Sequence, residues 1–188
     1  KLGRVFAGEK PDAVCHHAAQ MDVRRSVREP IYDASVNILG TLNLLEASRE
    51  AGVRKFLYVS TGGAVYGEPR SIPVPEDHPI EPQSPYGVTK HTIEHYLKIY
   101  REAYGLGFAV LRYANIFGPR QSLENDYAVV IPKFIACLLK KQPLPVYGDG
   151  KQSRDFTFIA DVIEANVRAW TKSAPQGVYN VGGGSQVE

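Results

Sequence analysis

The stretch Phe56-Leu57-Tyr58-Val59-Ser60-Thr61-Gly62-Gly63 decides the fold: four apolar residues in a row empty into two hydroxyls and two glycines. A short run that is apolar at every position is the pattern of a strand buried on both faces, and such strands belong to parallel sheets covered by helices. Two more runs share this character. Ala13-Val14-Cys15-His16-His17-Ala18-Ala19 precedes it and Phe108-Ala109-Val110-Leu111 follows it. Between the first two, Pro30 to Glu50 carries a helical stripe of Ile38, Leu42 and Leu45, with Leu39 and Leu44 alongside, stopped by Gly52. Between the last two, Pro85 opens a helix in which Ile93, Tyr96, Leu97 and Tyr100 recur at helical spacing until Gly105. This alternation predicts an α/β protein with an open parallel sheet. Ligands of such sheets bind outside the carboxyl ends of the strands. Those ends read Ala18-Ala19-Gln20, Ser60-Thr61-Gly62 and Arg112-Tyr113-Ala114-Asn115.

The flanking segments are less regular. Residues up to Lys10 read as the end of a helix stopped by Pro11. Residues 67–85 hold six prolines in nineteen positions, which predicts an ordered but irregular excursion. Asn115-Ile116-Phe117-Gly118-Pro119 reads as a turn. A helix from about Val129 to Lys140, a short strand around Leu144 to Tyr147, and a helix capped near Asp161 and ending near Thr171 follow. Tyr179-Asn180-Val181 reads as a strand entering the loop Gly182-Gly183-Gly184. Residues 1–121 are therefore expected to form a partial sheet domain. Residues 122–188 are expected to form part of a smaller substrate-side lobe mixed with late elements of the sheet. The lysine at position 1 and the strand-to-loop ending both read as cuts through a longer protein.

Composition narrows the class. The 188 residues are 44% apolar and 22% charged, the profile of a soluble globular chain. A formal charge of only +2, with acids and bases interspersed, argues against a nucleic-acid partner. The cluster Arg24, Arg25 and Arg28 is short enough to be a solvated helix start. Cys15 and Cys137 sit in apolar segments and are expected to be small buried thiols of a reducing compartment. His16 and His17 lack the partner spacing of a metal site, so no metal is expected. The best apolar run, Val129 to Leu139, is too short for a bilayer and is broken by Pro132 and Lys133. With no signal-peptide pattern, these features predict a cytoplasmic protein without a membrane partner.

The chemistry-bearing segment is Tyr86-Gly87-Val88-Thr89-Lys90. A tyrosine and a lysine four apart on a helix lie on one face. A phenol is a poor base at neutral pH because its ordinary pKa is about 10. A neighbouring ammonium, joined by the positive nicotinamide of an oxidised cofactor, favours the phenolate. The pair then makes a base able to take a proton from a hydroxyl while a hydride leaves the same carbon. Alone, this spacing also describes an ordinary surface helix face.

The pair stands among other blocks in a fixed order. Ser60 to Gly67 follows the central strand, and Pro82-Gln83-Ser84-Pro85-Tyr86-Gly87 leads into the helix. Leu111 to Pro119 and then Gly148 to Phe156 before Phe158-Ile159-Ala160-Asp161-Val162 come after it. His16 to Val27 and Val36 to Ala47 point the same way. In this order the chain resembles the extended short-chain dehydrogenase/reductase group, and within it the nucleotide-sugar epimerases and dehydratases. The resemblance implies a Rossmann-like doubly wound sheet, bound NAD, a UDP-hexose substrate and a homodimer built on the helices matching 30–51 and 86–104. It implies Tyr86 as the acid/base and Lys90 as the group that holds the nicotinamide ribose. His17, Ala18, Ala19, Gln20, Asn37 and Ser60 would line the cofactor, and Tyr113 would sit near its carboxamide. Asn115 would touch the substrate sugar or pyrophosphate, Val130, Val146 and Tyr147 would clasp the nucleotide, and Arg154 would pair with the pyrophosphate.

Two departures from that pattern bear on the reaction. Gly62 stands where the family's catalytic hydroxyl falls, so Thr61 is the expected substitute, with Ser60 or a water as alternatives. The glycine-rich phosphate loop and the acid for the adenosine ribose do not occur in this sequence. Dehydratases of the group resemble one another in an Asp-Glu pair after the threonine, where this chain has Gly62-Gly63. The expected reaction is therefore 4-epimerisation of UDP-glucose and UDP-galactose by transient oxidation at sugar carbon four. This reading concerns the full-length parent; a dehydratase or reductase of the same group, or a non-catalytic fragment, is the alternative.

Overall fold

The computed structural model describes residues 1–122, 130–171 and 176–187. In chain order they form α1 (Leu2–Glu9), β1 (Ala13–His16), α2 (Val23–Arg28), α3 (Pro30–Ala34), a π-helical turn (Ser35–Leu39), α4 (Gly40–Glu50), β2 (Lys55–Thr61) and α5 (Gly62–Val65). There follow α6 (Pro85–Tyr104), β3 (Gly107–Tyr113), β4 (Asn115–Phe117), α7 (Val130–Leu139), β5 (Phe156–Phe158), α8 (Ile159–Trp170) and β6 (Gly177–Val181).

Four strands make one parallel sheet in the order β1-β2-β3-β6, which gives the Rossmann-like α/β architecture. The period-2 alternation of a strand sends successive side chains to opposite faces, and here both faces are covered. Phe56, Tyr58, Phe108 and Val110 pack with Phe6, Leu45, Ile93 and Leu97 from α1, α4 and α6. Leu57, Ala109 and Leu111 pack on the other face with Val162 and Ala169 from α8. The register pairs Ser60 with Arg112 and Thr61 with Tyr113, so these four residues end their strands side by side.

Several local expectations change. The helix of residues 30–50 is continuous but widened by the π turn at Ser35–Leu39. Asn115–Phe117 is a strand, paired in parallel with β5 as a second two-stranded sheet. No strand forms at 144–147, where Pro145 has no N–H to give to a ladder. Asp161 lies in the first turn of α8, whose N-cap is Phe158. Cys15 is exposed on β1, which among the described strands pairs only with β2, and Cys137 is half-buried. Val129 lies outside the described residues. Among the described residues, no helix is long and apolar enough to cross a membrane.

Candidate active site

Local sequence fixes the start of α6 tightly. Ser84 caps it, its side chain accepting from the Gly87 N–H at 3.2 Å, and Pro85 supplies a first position that needs no donor. Gly87 lies so close to the Ala64 carbonyl and the Pro82 ring that any side chain there would collide with backbone. The helix start is thus pressed against the loop after β2, which sets Tyr86 and Lys90 at the carboxyl ends of β2 and β3. They line a cleft of about 690 Å³ with His17, Ala19, Ser60, Thr61, Tyr113 and Asn115.

Burial dominates the electrostatics of the pair. It pushes the Tyr86 phenol up to about 12, with the negative field of Asp33 adding to the effect. It pushes the Lys90 ammonium down to about 7, against the opposing pull of Glu94 and Asp33. Lys90 Nζ lies 4.2 Å from the centroid of the Tyr58 ring, and no ion pair to it occurs among the described residues. In the protein alone burial outweighs any help from Lys90, and Tyr86 is held as a phenol.

Beneath the cleft runs a buried polar network. Arg112 donates to Glu94 through Nε (3.1 Å) and Nη2 (2.6 Å), and Ser60 Oγ donates to Glu94 Oε1 at 2.6 Å. Burial raises the Glu94 carboxyl, but hydrogen bonds from His91, Arg112 and Ser60 outweigh it and hold the group at about 2. Arg112 also donates to the Tyr66 hydroxyl at 2.6 Å. Ser60 is therefore tied into the wall. Thr61, although at the N-cap of α5, makes no side-chain capping bond.

A second network supports the end of β1. Asn37 sits in the π turn, a local widening often found at functional sites. Its carbonyl accepts from Gln20 N at 2.9 Å and its amide donates to Gln20 O at 2.9 Å. The buried Asp33 carboxylate accepts from Gln20, Asn37 and Thr89. Asn37 and Gln20 are thus buried supports of the chain beside the cleft, and neither side chain lines it. Ala18 also falls outside the lining. Val130, Val146, Tyr147 and Arg154 stand apart from it and are exposed; Tyr147 accepts a hydrogen bond from Lys133, and the Arg154 backbone bridges Val187.

Sequence reasoning missed Glu94, Arg112, Asp33 and Asn166. Asn166 on α8 donates to the Tyr113 hydroxyl at 2.6 Å, and its carbonyl oxygen lies 3.1 Å from His17 Nε2. Glu94 was the most discoverable of these, since it falls four residues after Lys90 on the inward face of α6.

A parallel sheet whose strand ends hold a Tyr-x-x-x-Lys pair in one cleft defines a short-chain dehydrogenase/reductase-type site. Residues 1–182 match the NAD dependent epimerase/dehydratase family, and the chain belongs to that family. The chain is 43% identical to the UDP-glucose 4-epimerase of Mycolicibacterium smegmatis, over 97% of this chain and 58% of the relative. It is 39% identical to the mouse dTDP-D-glucose 4,6-dehydratase, over 95% of this chain and 49% of the relative. Its structure matches that of the Thermus thermophilus UDP-glucose 4-epimerase complex with NAD with a TM-score of 0.89 and 41% identity. That match covers 99% of this chain and 61% of the other. The chain thus spans about half to three fifths of the proteins it matches.

Proposed function

We propose that the protein is an NAD-dependent nucleotide-sugar 4-epimerase acting on UDP-glucose and UDP-galactose. The observation that carries this reading is the joint placement of Tyr86, Lys90 and Thr61 on one cleft with Gly62-Gly63 behind the threonine. Expulsion of water from a sugar needs an acid and a base beside the catalytic hydroxyl, and two glycines offer neither.

The residues fit the cofactor. The cleft opens at the carboxyl ends of the strands, where open sheets of this kind bind nucleotides, and small side chains such as Ala19 and Ala114 flank it. Buried Lys90, without a carboxylate partner among the described residues, offers N–H donors to a ribose. When bound, NAD supplies the positive charge that lowers the Tyr86 phenol and the acceptor for the hydride from sugar carbon four. As the phenolate that this charge favours, Tyr86 Oη would take the proton of the sugar 4-hydroxyl and later give it back. Thr61 Oγ1 passes that proton or holds the sugar oxygen in line. Tyr113, fixed by Asn166, and His17 bound the nicotinamide end, while Asn115 meets the sugar side. Val130, Val146, Tyr147 and Arg154 would close on the nucleotide from outside the present cleft. Two copies would pair through the exposed apolar residues Ile31, Leu39, Val88 and Ile99 of the helices between 30 and 104. A cytoplasmic location goes with this reading.

Incubating the full-length protein with UDP-galactose, without added cofactor, is expected to yield UDP-glucose. A 4-keto-6-deoxy product would replace the epimerase by a dehydratase. Unchanged turnover in Tyr86→Phe would overturn both.

A further inference from the structure

On the far side of α6 from the cleft, His91 and His95 stand one turn apart on the same face. Their Nε2 atoms are 3.0 Å apart, their ring centroids 4.5 Å apart, and their planes cross at 74°. The other nitrogen of His91, Nδ1, lies 3.2 Å from Oε2 of Glu94, a carboxylate whose side chain is 2% exposed. The two nitrogens are within hydrogen-bonding distance, but a straight N–H···N bond would hold the centroids about 5.2 Å apart, taking each nitrogen as about 1.1 Å from its centroid, so any bond between the rings is bent. Two imidazoles bound at right angles to one ion, with metal–nitrogen distances of about 2.1 Å, would have nitrogens about 3.0 Å apart and centroids about 4.5 Å apart. Both observed separations match the second arrangement. A tetrahedral ion would need the nitrogens about 3.4 Å apart.

The geometry points to a transition-metal site at His91 Nε2 and His95 Nε2, with the two imidazoles in neighbouring positions of a tetragonal ion of the copper(II) or nickel(II) type. The buried Glu94 supplies what ligating histidines generally have, a carboxylate on the other ring nitrogen that fixes the tautomer and the ring plane. Right-angled nitrogen ligation favours copper(II) and nickel(II) over zinc, and copper(II) binds such ligands most strongly. Among the described residues no cluster of three or more protein ligands occurs, so water would complete the coordination. The ion would point about 50° around the helix from the exposed Val88 and Ile99, leaving that stripe uncovered. It would also load the carboxylate that holds Ser60 and Arg112 beneath the cleft.

Copper(II) chloride titrated into the protein tests this. One equivalent should give an axial electron paramagnetic resonance spectrum with hyperfine structure from two imidazole nitrogens. His95→Ala, an exposed position, should drop one nitrogen and weaken binding at least tenfold. Zinc chloride at equal concentration should not displace the copper. A wild-type spectrum with one nitrogen, a spectrum unmoved by His95→Ala, or displacement by zinc would each overturn the proposal.

Discussion

Ser60 Oγ donates to Glu94 Oε1 at 2.6 Å, while its neighbour Thr61 leaves its hydroxyl out of the α5 cap. Both residues line the cleft, but the Ser60 hydroxyl is committed to the wall; on the proposed function it is Thr61 that meets the substrate. Thr61→Ala is expected to lower kcat about 10²-fold or more with the melting temperature nearly unchanged. Ser60→Ala should do the reverse. It removes a bond to a buried carboxylate, costing roughly 1–3 kcal/mol of stability, with the smaller effect on turnover. Parallel kinetics and thermal melts of the two variants decide the assignment, and equal loss of kcat in both would contradict it.

Tyr86→Phe removes the proton carrier and keeps the ring. Turnover should fall by about 10²–10⁴-fold, the usual worth of a positioned acid/base. KM should change little, because the hydroxyl acts on the reacting atoms and not on the nucleotide handle. A rise in KM at constant kcat would show instead that the phenol serves binding.

The Arg112–Glu94 pair is nearly sealed from solvent, with 5% and 2% of the side chains exposed. Breaking such a pair leaves an uncompensated buried charge, so Arg112→Met should cost about 3–5 kcal/mol. Adding Glu94→Gln to that variant should restore part of the loss. Denaturant melts of both variants check this, and a double variant no more stable than the single one would count against a shared pair.

His16 gives the fold an acid-sensitive point. Burial, followed by the positive fields of Lys90 and His17, pushes the imidazole down from 6.5 to about 4. Its Nε2 is 2.9 Å from Thr41 Oγ1, whose own proton goes to the Asn37 carbonyl, so the neutral ring is the donor. A group depressed on folding contributes stability above its unfolded pKa and loses it as the pH falls through the folded one. The melting temperature should therefore drop between about pH 6.5 and pH 4, and His16→Gln should flatten that part of the profile. An equally steep profile in the variant would place the sensitivity elsewhere.

The sheet was legible because burial on both faces leaves an unambiguous mark, as in Phe56-Leu57-Tyr58-Val59 and Phe108-Ala109-Val110-Leu111. Helix α6 was legible because its ends are chemically explicit, Pro85 at one and Gly105 in a left-handed conformation at the other. What stayed hidden depends on contacts distant in sequence. Asn115–Phe117 looks like a turn until Phe156–Phe158 arrives to pair with it. The Tyr86–Lys90 spacing was readable, but their protonation was not, since it reflects how much water each loses when the chain packs.

The π turn at Ser35–Leu39 has a consequence for anyone editing this helix. The inward residues Asp33, Asn37, Thr41 and Leu45 fall at steps of four, which in a regular α-helix would spiral off the contact surface by roughly a third of a revolution. One surplus residue in a wide coil absorbs nearly all of that slippage. Deleting a single residue there would tidy the backbone, yet it would swing Asp33 away from Thr89 and leave the far end of the first strand without its anchor.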